Sequence, residues 1–249
     1  DNAFAEQVPI ENNHRYAISL GVEMNLAKIK AAPSYIDNAE VGLQYHHAAR
    51  VAVELAAFIR ELGYPARAHH MDNEEVLHVP LAVSAGMGEL GRMGMLVTRR
   101  FGPRLRLATV TTDLPLDPDK PVSLGVDAFC CICKKCATNC PIQAVPMGEK
   151  APYKGVNKWK IDQEACIRFW TANPEQWASC LTCLKACPWS QPDAWYHRAS
   201  TWTAARSRVA RRLLLWMDDA MHGKHPFYNV SWMGFRSKRV GTRTSPPAK

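Results

Sequence analysis

The sequence has no cysteine before Cys130 and none after Cys187, and its total of nine is odd. A disulfide framework, which spreads paired cysteines along the chain it staples, is therefore a poor reading. No apolar run approaches the roughly 18 residues of a membrane-spanning helix. Neither a twin-arginine motif nor an apolar signal region follows Asp1, so any targeting segment is expected to have been removed or never to have existed. Aromatic residues make up only 9% and are not interleaved with basic ones in a stacking pattern. The net charge of +8 thus does not by itself point to nucleic acid. What is present is 249 residues at 47% hydrophobic, enough for a substantial core in one or two domains.

The cysteines carry the strongest signal. Cys130, Cys133, Cys136 and Cys140, with Pro141 behind them, spell Cys-x2-Cys-x2-Cys-x3-Cys-Pro, the bacterial ferredoxin spacing for 4Fe–4S clusters. Cys180, Cys183 and Cys187 with Pro188 form a second set, preceded by Cys166. Two residues between ligands wrap one corner of a cubane, so three thiolates of a run reach the same cluster. The fourth, held off by three residues and turned away at proline, serves the other cluster. By that rule Cys130, Cys133, Cys136 and Cys187 hold cluster one, and Cys140, Cys166, Cys180 and Cys183 hold cluster two. A long insertion separates Cys166 from Cys180 in place of the usual short spacer. Cys131 breaks the register and is read as a non-ligand. Zinc sites use Cys-x2-Cys pairs without the paired Cys-Pro endings. The pattern predicts two iron–sulfur clusters and movement of electrons.

Along the chain, Tyr16 to Met24 reads as a buried strand. Residues 41–62 read as a helix, with Ala48, Val51, Ala52, Leu55, Ala56, Ile59 and Leu62 at three- and four-residue spacing and Gly63 at the stop. A short Val-rich strand interrupted by Pro80 precedes Gly86-x-Gly88-x-x-Gly91. With no acidic residue well placed downstream, this is a weak dinucleotide fingerprint. A close backbone approach to a large ligand is the preferred reading. Leu105 to Thr112 alternates as a strand, and the Pro-rich stretch from Asp113 to Pro121 is a loop. Arg206, Arg208, Arg211 and Arg212, followed by Leu213-Leu-Leu-Trp216, read as one amphipathic helix with a solvated face, a membrane-surface contact being the alternative. Ser245 to Lys249 reads as a frayed tail. Adjacent histidines at His46-His47 and His69-His70 read as core or solvated residues rather than metal ligands.

Several motifs in order resemble the corrinoid-dependent reductive dehalogenases: Gly88-Glu-Leu-Gly-Arg-Met-Gly94, Phe101-Gly-Pro-Arg-Leu-Arg106, Thr112-Asp-Leu-Pro-Leu116, the Cys130 run, Cys166-Ile-Arg-Phe-Trp170 and Cys187-Pro-Trp189. The resemblance implies an α+β fold in three parts. Residues 1–122 would be a nitroreductase-like, corrinoid-binding core, 123–196 a ferredoxin-like domain with two 4Fe–4S clusters, and 197–249 a segment packing back on the core. It implies a cobalamin-type cofactor and removal of halide from an organohalide with two electrons and a proton. It further implies an electron donor, with a small membrane-anchor subunit and a homodimer as candidate assemblies, and no nucleic-acid partner. The implied place is the outer face of the cytoplasmic membrane, the cytoplasm being the alternative. Members usually carry a further region before the strand at Tyr16, so a partial chain is expected.

The resemblance also carries site residues. Tyr45, ahead of Gly63-Tyr64, is the expected proton donor, and Arg104 its expected partner, with Arg106 as the rival. A nearby permanent cation stabilises the phenolate left after proton transfer. Trp177 is expected to line the substrate pocket, with Met71 or Asn73 beside it. Gly86, Gly88, Gly91 and Gly94 are expected to approach the corrinoid. No Asp-x-His-x-x-Gly segment occurs, so no protein histidine is expected on cobalt. Taken alone, Tyr45 would be a core residue with a satisfied hydroxyl, and Trp177 a packing residue. Two other functions compete. Epoxyqueuosine reductase, a tRNA-modifying enzyme with the same cofactors, usually has a Cys-Asp-x-Cys-Gln-like run where this chain has Cys180-Leu-Thr-Cys-Leu-Lys-Ala-Cys187. A non-catalytic electron-transfer protein leaves the Gly-rich segment and the long helix unexplained.

Overall fold

The computed structural model describes residues 13–71, 73–171 and 179–223. Strand β1 (Tyr16–Glu23) leads to α1 (Leu26–Lys30), where the Asn25 side chain accepts the Ala27 and Lys28 amides. Ser34 opens the long α2 (Tyr35–Glu61) in a reciprocal capping box with Asp37. That cap sets the helix start, which is why it precedes the apolar periodicity beginning at residue 41.

Next come β2 (Ala66–His69), α3 (His78–Ser84), β3 (Glu89–Leu90), β4 (Leu96–Val97) and β5 (Leu105–Thr112). The Val-rich segment expected as a strand is α3. Pro80 sits in its first turn, where a missing N–H breaks no helical hydrogen bond. β5 is the central strand of an antiparallel sheet ordered β1-β5-β2, with Tyr16 and Ala66 both opposite Thr112. α2 lies on this sheet. Ala48, Ala52, Ala56 and Ile59 pack on Ala108 and Val110 of β5, methyl groups at four-residue spacing forming a low ridge. Val51 and Leu62, in the same apolar periodicity, remain 41% and 52% exposed.

The second half holds α4 (Val126–Cys133), α5 (Lys135–Thr138), the hairpin β6 (Ala151–Tyr153) and β7 (Val156–Lys158), α6 (Gln163–Thr171), α7 (Thr182–Lys185), α8 (Trp195–Arg206) and α9 (Arg208–His222). The single amphipathic helix expected around 206–216 is broken at Ser207, whose extended backbone and hydroxyl, bonded to the Ala210 amide, start α9 afresh. One hydrophobic cluster joins residues on both sides of positions 122 and 196. Met24, Ile29, Val41 and Val97 pack with Val126, Phe129, Leu184, Trp189 and Ala204. Lys135, nearly buried, pairs with Asp218 and Asp219 and ties α9 to α5.

The alanine seam gives a stability test. Ala52 is fully buried, so Ala52→Leu is expected to cost about 1–3 kcal/mol by overpacking. Val51→Leu, on the exposed face, is expected to stay within about 0.5 kcal/mol. Thermal unfolding of the two variants side by side checks this, and equal Tm values would show that the seam has room to spare.

Candidate active site and cluster centres

The cysteine runs are shaped by two strained residues. Lys134, after Cys133, has φ 55°, and Leu181, after Cys180, has φ 43°. Both lie in the left-handed region that side-chain-bearing residues rarely enter. Each is followed by one short helical turn, α5 with Cys136 and α7 with Cys183, and then by a Cys-Pro pair. The two runs are therefore copies of one local structure.

Cys130, Cys133, Cys136 and Cys187 line a single cavity with Arg92, Phe129 and Trp189. Cys131 is not part of that lining. Burial pushes the Cys130 thiol up to about 11 and those of Cys133 and Cys136 up to about 12. Cys187 is driven well up by burial and then by the other three thiols. Burial likewise raises Cys166, Cys180 and Cys183, and Cys140 adds to the rise at all three. The fold thus brings Cys140, Cys166, Cys180 and Cys183 together. Among the described residues, no three His, Cys, Asp or Glu side chains converge closely enough to hold a single metal ion. Four cysteines lining one cavity fit a cluster held by all of them. Iron would supply the positive charge that these buried sulfurs need in order to stand as thiolates.

Tyr45 projects from α2 onto the hydrophobic cluster that includes the cysteines. The guanidinium over its ring belongs to Arg106, 4.5 Å from the ring centroid. Arg106 is 8% exposed, and its Nε has no hydrogen-bond partner among the described residues. Burial lowers its pKa, while Tyr45 and Cys183 both act to hold its charge. One buried cation thus faces the phenol and the second cysteine set at once. Among the described residues the Tyr45 hydroxyl makes no hydrogen bond. Arg104, the expected neighbour, is engaged elsewhere. It donates to Glu23 Oε1 at 2.9 Å, to the Met24 carbonyl at 2.6 Å and to the Gln191 carbonyl at 3.2 Å. It precedes β5, where the chain meets the end of β1, whereas Arg106 is carried onward by β5 beneath α2.

The four glycines expected at a cofactor are filled by the chain itself. A Cβ would lie 2.4 Å from the Lys120 carbonyl at Gly86 and 2.3 Å from the Val97 carbonyl at Gly88. At Gly91 it would meet Val97 Cγ2 at 2.9 Å, and at Gly94 Ile161 Cδ1 at 2.3 Å. The close approach they permit is internal. Met71 is 46% exposed, and Asn73 donates to the Ala68 carbonyl at 3.2 Å; both belong to the turn after β2. Trp177 lies outside the described residues. Two residues went unremarked in the sequence. Asp37, fully buried, accepts a hydrogen bond from Ser179 at 3.0 Å, linking α2 to the residue before Cys180. Burial raises its carboxyl against these hydrogen bonds. Its signal was the Ser-x-x-Asp cap. Arg92 stood inside the Gly88–Gly94 motif without an assigned role.

Comparison with known proteins supplies the family. Residues 129–191 match the 4Fe–4S dicluster domain family. A tetrachloroethene reductive dehalogenase of Desulfitobacterium hafniense is 39% identical over 80% of this chain and 36% of its own length. The catabolic reductive dehalogenase NpRdhA, solved with 3-bromo-4-hydroxybenzoic acid, superposes with a TM-score of 0.83 at 32% identity over 88% of this chain and 32% of that one. A reductive dehalogenase structure suggesting a mechanism for B12-dependent dehalogenation gives 0.81 at 32% identity, covering 86% and 31%. Epoxyqueuosine reductase is more distant, at 26% identity for the Aliivibrio fischeri protein over 68% of this chain and 47% of its own length. The chain spans about a third of the length of the dehalogenases it matches. In cysteine pattern, motif order and fold, it is a homologue of the reductive dehalogenases.

Proposed function

We propose that this chain carries the electron-transfer centres and the proton donor of a corrinoid-dependent reductive dehalogenase. In that reaction an organohalide takes up two electrons and one proton, the carbon–halogen bond breaks, and halide leaves as hydrogen joins the carbon. The observation that carries the reading is one hydrophobic cluster holding Tyr45 together with cysteines of both sets, with Arg106 over the phenol ring and in electrostatic reach of Cys183. The B12-dependent relative supports the choice of a corrinoid.

In this reading Cys130, Cys133, Cys136 and Cys187 hold one cluster, and Cys140, Cys166, Cys180 and Cys183 the other. When bound, the corrinoid would supply reduction of the carbon–halogen bond, and the clusters would supply single electrons. Tyr45 holds the proton on its hydroxyl and gives it to the substrate carbon as a general acid. Arg106 stays charged and steadies the phenolate left behind. Arg104 acts at a distance, by anchoring the start of β5 so that Arg106 remains over the ring. A peripheral place at the outer face of the cytoplasmic membrane, with a small anchor subunit among the candidate electron donors, belongs to the same proposal. Its support is the exposed face of α9, where Val209, Leu213 and Trp216 stand beside Arg208 and Arg212. No helix among the described residues is long and apolar enough to cross a membrane.

Tyr45→Phe in the full-length protein is expected to keep its iron and corrinoid content but lose about 10²-fold or more in halide release, the scale of a general acid. Arg106→Gln should lose turnover with it, and Arg106→Lys should recover only part. Wild-type halide release by Tyr45→Phe would move the proton source to solvent and remove Tyr45 from the site.

Cluster loading separates the cysteines. After anaerobic reconstitution, Cys131→Ser is expected to bind as much iron as the parent chain, whereas Cys133→Ser should lose about one cluster's share, roughly half. Equal losses in the two variants would mean that the ligand run has been assigned in the wrong register.

A further inference from the structure

Arg92 sits in the turn between β3 and β4 and is 1% exposed. Its Nε donates to the Cys130 carbonyl at 3.1 Å, and its Nη1 to the carbonyls of Pro146 at 2.7 Å and Gly148 at 2.9 Å. The guanidinium lies over the Trp159 ring, 4.5 Å from its centroid. Nη2 is buried and has no hydrogen-bond partner among the described residues. Among the described residues the partners of Arg92 are carbonyls and a ring, and none is a carboxylate. A buried arginine without a counter-anion is costly, because neither neutral carbonyls nor a ring face cancels its charge. The same side chain lines the cavity shared by Cys130, Cys133, Cys136 and Cys187.

We propose that Arg92 is the built-in counter-cation of the cluster held by Cys130, Cys133, Cys136 and Cys187, and that it sets that cluster's reduction potential above the value neutral surroundings would give. This rests on the cluster reading above. Four thiolates and their sulfides outweigh the charge on the irons, so the oxidised cluster is already an anion, and one-electron reduction adds a further negative charge. A fixed cation at the cavity wall favours the more negative state. Net charge and hydrogen bonding at the sulfurs are the quantities through which a protein tunes such clusters. Arg92 is thereby a positioning and tuning residue rather than a catalytic one. It braces the Cys130 backbone with one part of its guanidinium and leaves the rest of its charge to the cavity.

The test is an anaerobic redox titration of the reconstituted chain, with dithionite as electron donor and the reduced-cluster paramagnetic signals as readout. Arg92→Gln should move one of the two midpoints in the negative direction by at least a tenfold change in the reduction equilibrium, about 59 mV for a one-electron couple. The other midpoint should stay in place. Arg92→Lys should keep most of the parent potential, because the charge remains although the planar fork is lost. A fully loaded Arg92→Gln protein titrating at the parent midpoints would overturn the proposal, as would an Arg92→Lys shift as large as that of Arg92→Gln. If Arg92→Gln holds only one cluster, retention of both by Arg92→Lys supports the counter-cation. Loss in both variants, with the chain still folded, reduces Arg92 to a brace for carbonyls and overturns it. Failure of the parent chain to bind iron would instead sink the cluster reading itself.

Discussion

Cys187 belongs by sequence to the second cysteine run but lines the cavity of the first, and Cys140 of the first run lies with the second set. This exchange forces two short segments to cross, and much of the surrounding structure holds the crossing in place. Trp189, two residues after Cys187, meets Phe129 edge to face at 6.0 Å and 86°. Gly102 lets the same loop come close, since a Cβ there would stand 2.1 Å from the Trp189 carbonyl. Arg104 then takes the Gln191 carbonyl from below while holding Glu23 and Met24. The Phe101-Gly-Pro-Arg104 motif thus earns its residues largely by clamping the Cys-Pro loop to the sheet.

A second set of contacts fixes α2, and with it Tyr45. At the helix start Asp37 receives Ser179, and Lys185 of α7 donates to the Ala32 carbonyl at 2.7 Å. Glu40, almost wholly buried, accepts the Asn25 amide, Lys28 and Gln44. Burial works to raise its carboxyl, and these hydrogen bonds outweigh that and lower it. Farther along, the alanine seam seats the helix on β5. The phenol and Arg106 therefore meet because one is held by a helix anchored on the cysteine segment and the other by the strand beneath it. Displacing either anchor would separate the phenol from the guanidinium.

Buried charge is handled differently around the molecule. Lys135 is matched by Asp218 and Asp219, and Arg104 by Glu23. Among the described residues, the nearly buried guanidiniums with no carboxylate partner are Arg92 and Arg106, and both stand close to cysteine sulfur. Burying cations without counter-anions is unfavourable in an empty protein and favourable beside an anionic centre. Their placement fits a chain whose native electrostatics include its clusters.

By itself the sequence determined what depends on near neighbours along the chain. Cysteine spacing legislates which sulfurs a tight turn can present, and alternation over Leu105–Thr112 marks a strand that the structure keeps residue for residue. The body of α2 was legible from its alanines, and its true start was legible only from the Ser34–Asp37 cap. Local pattern failed where a short apolar run suits either element, as with α3 around Pro80, and where a single residue interrupts a periodic helix, as at Ser207. Tertiary structure alone decided which arginine of Arg104 and Arg106 meets Tyr45, because two residues of travel along β5 separate the clamp from the site. It also decided that the four glycines serve internal packing and that Arg92 faces sulfur, since such partners lie far apart in sequence and meet only when the sheet register and the crossed cysteine runs are in place.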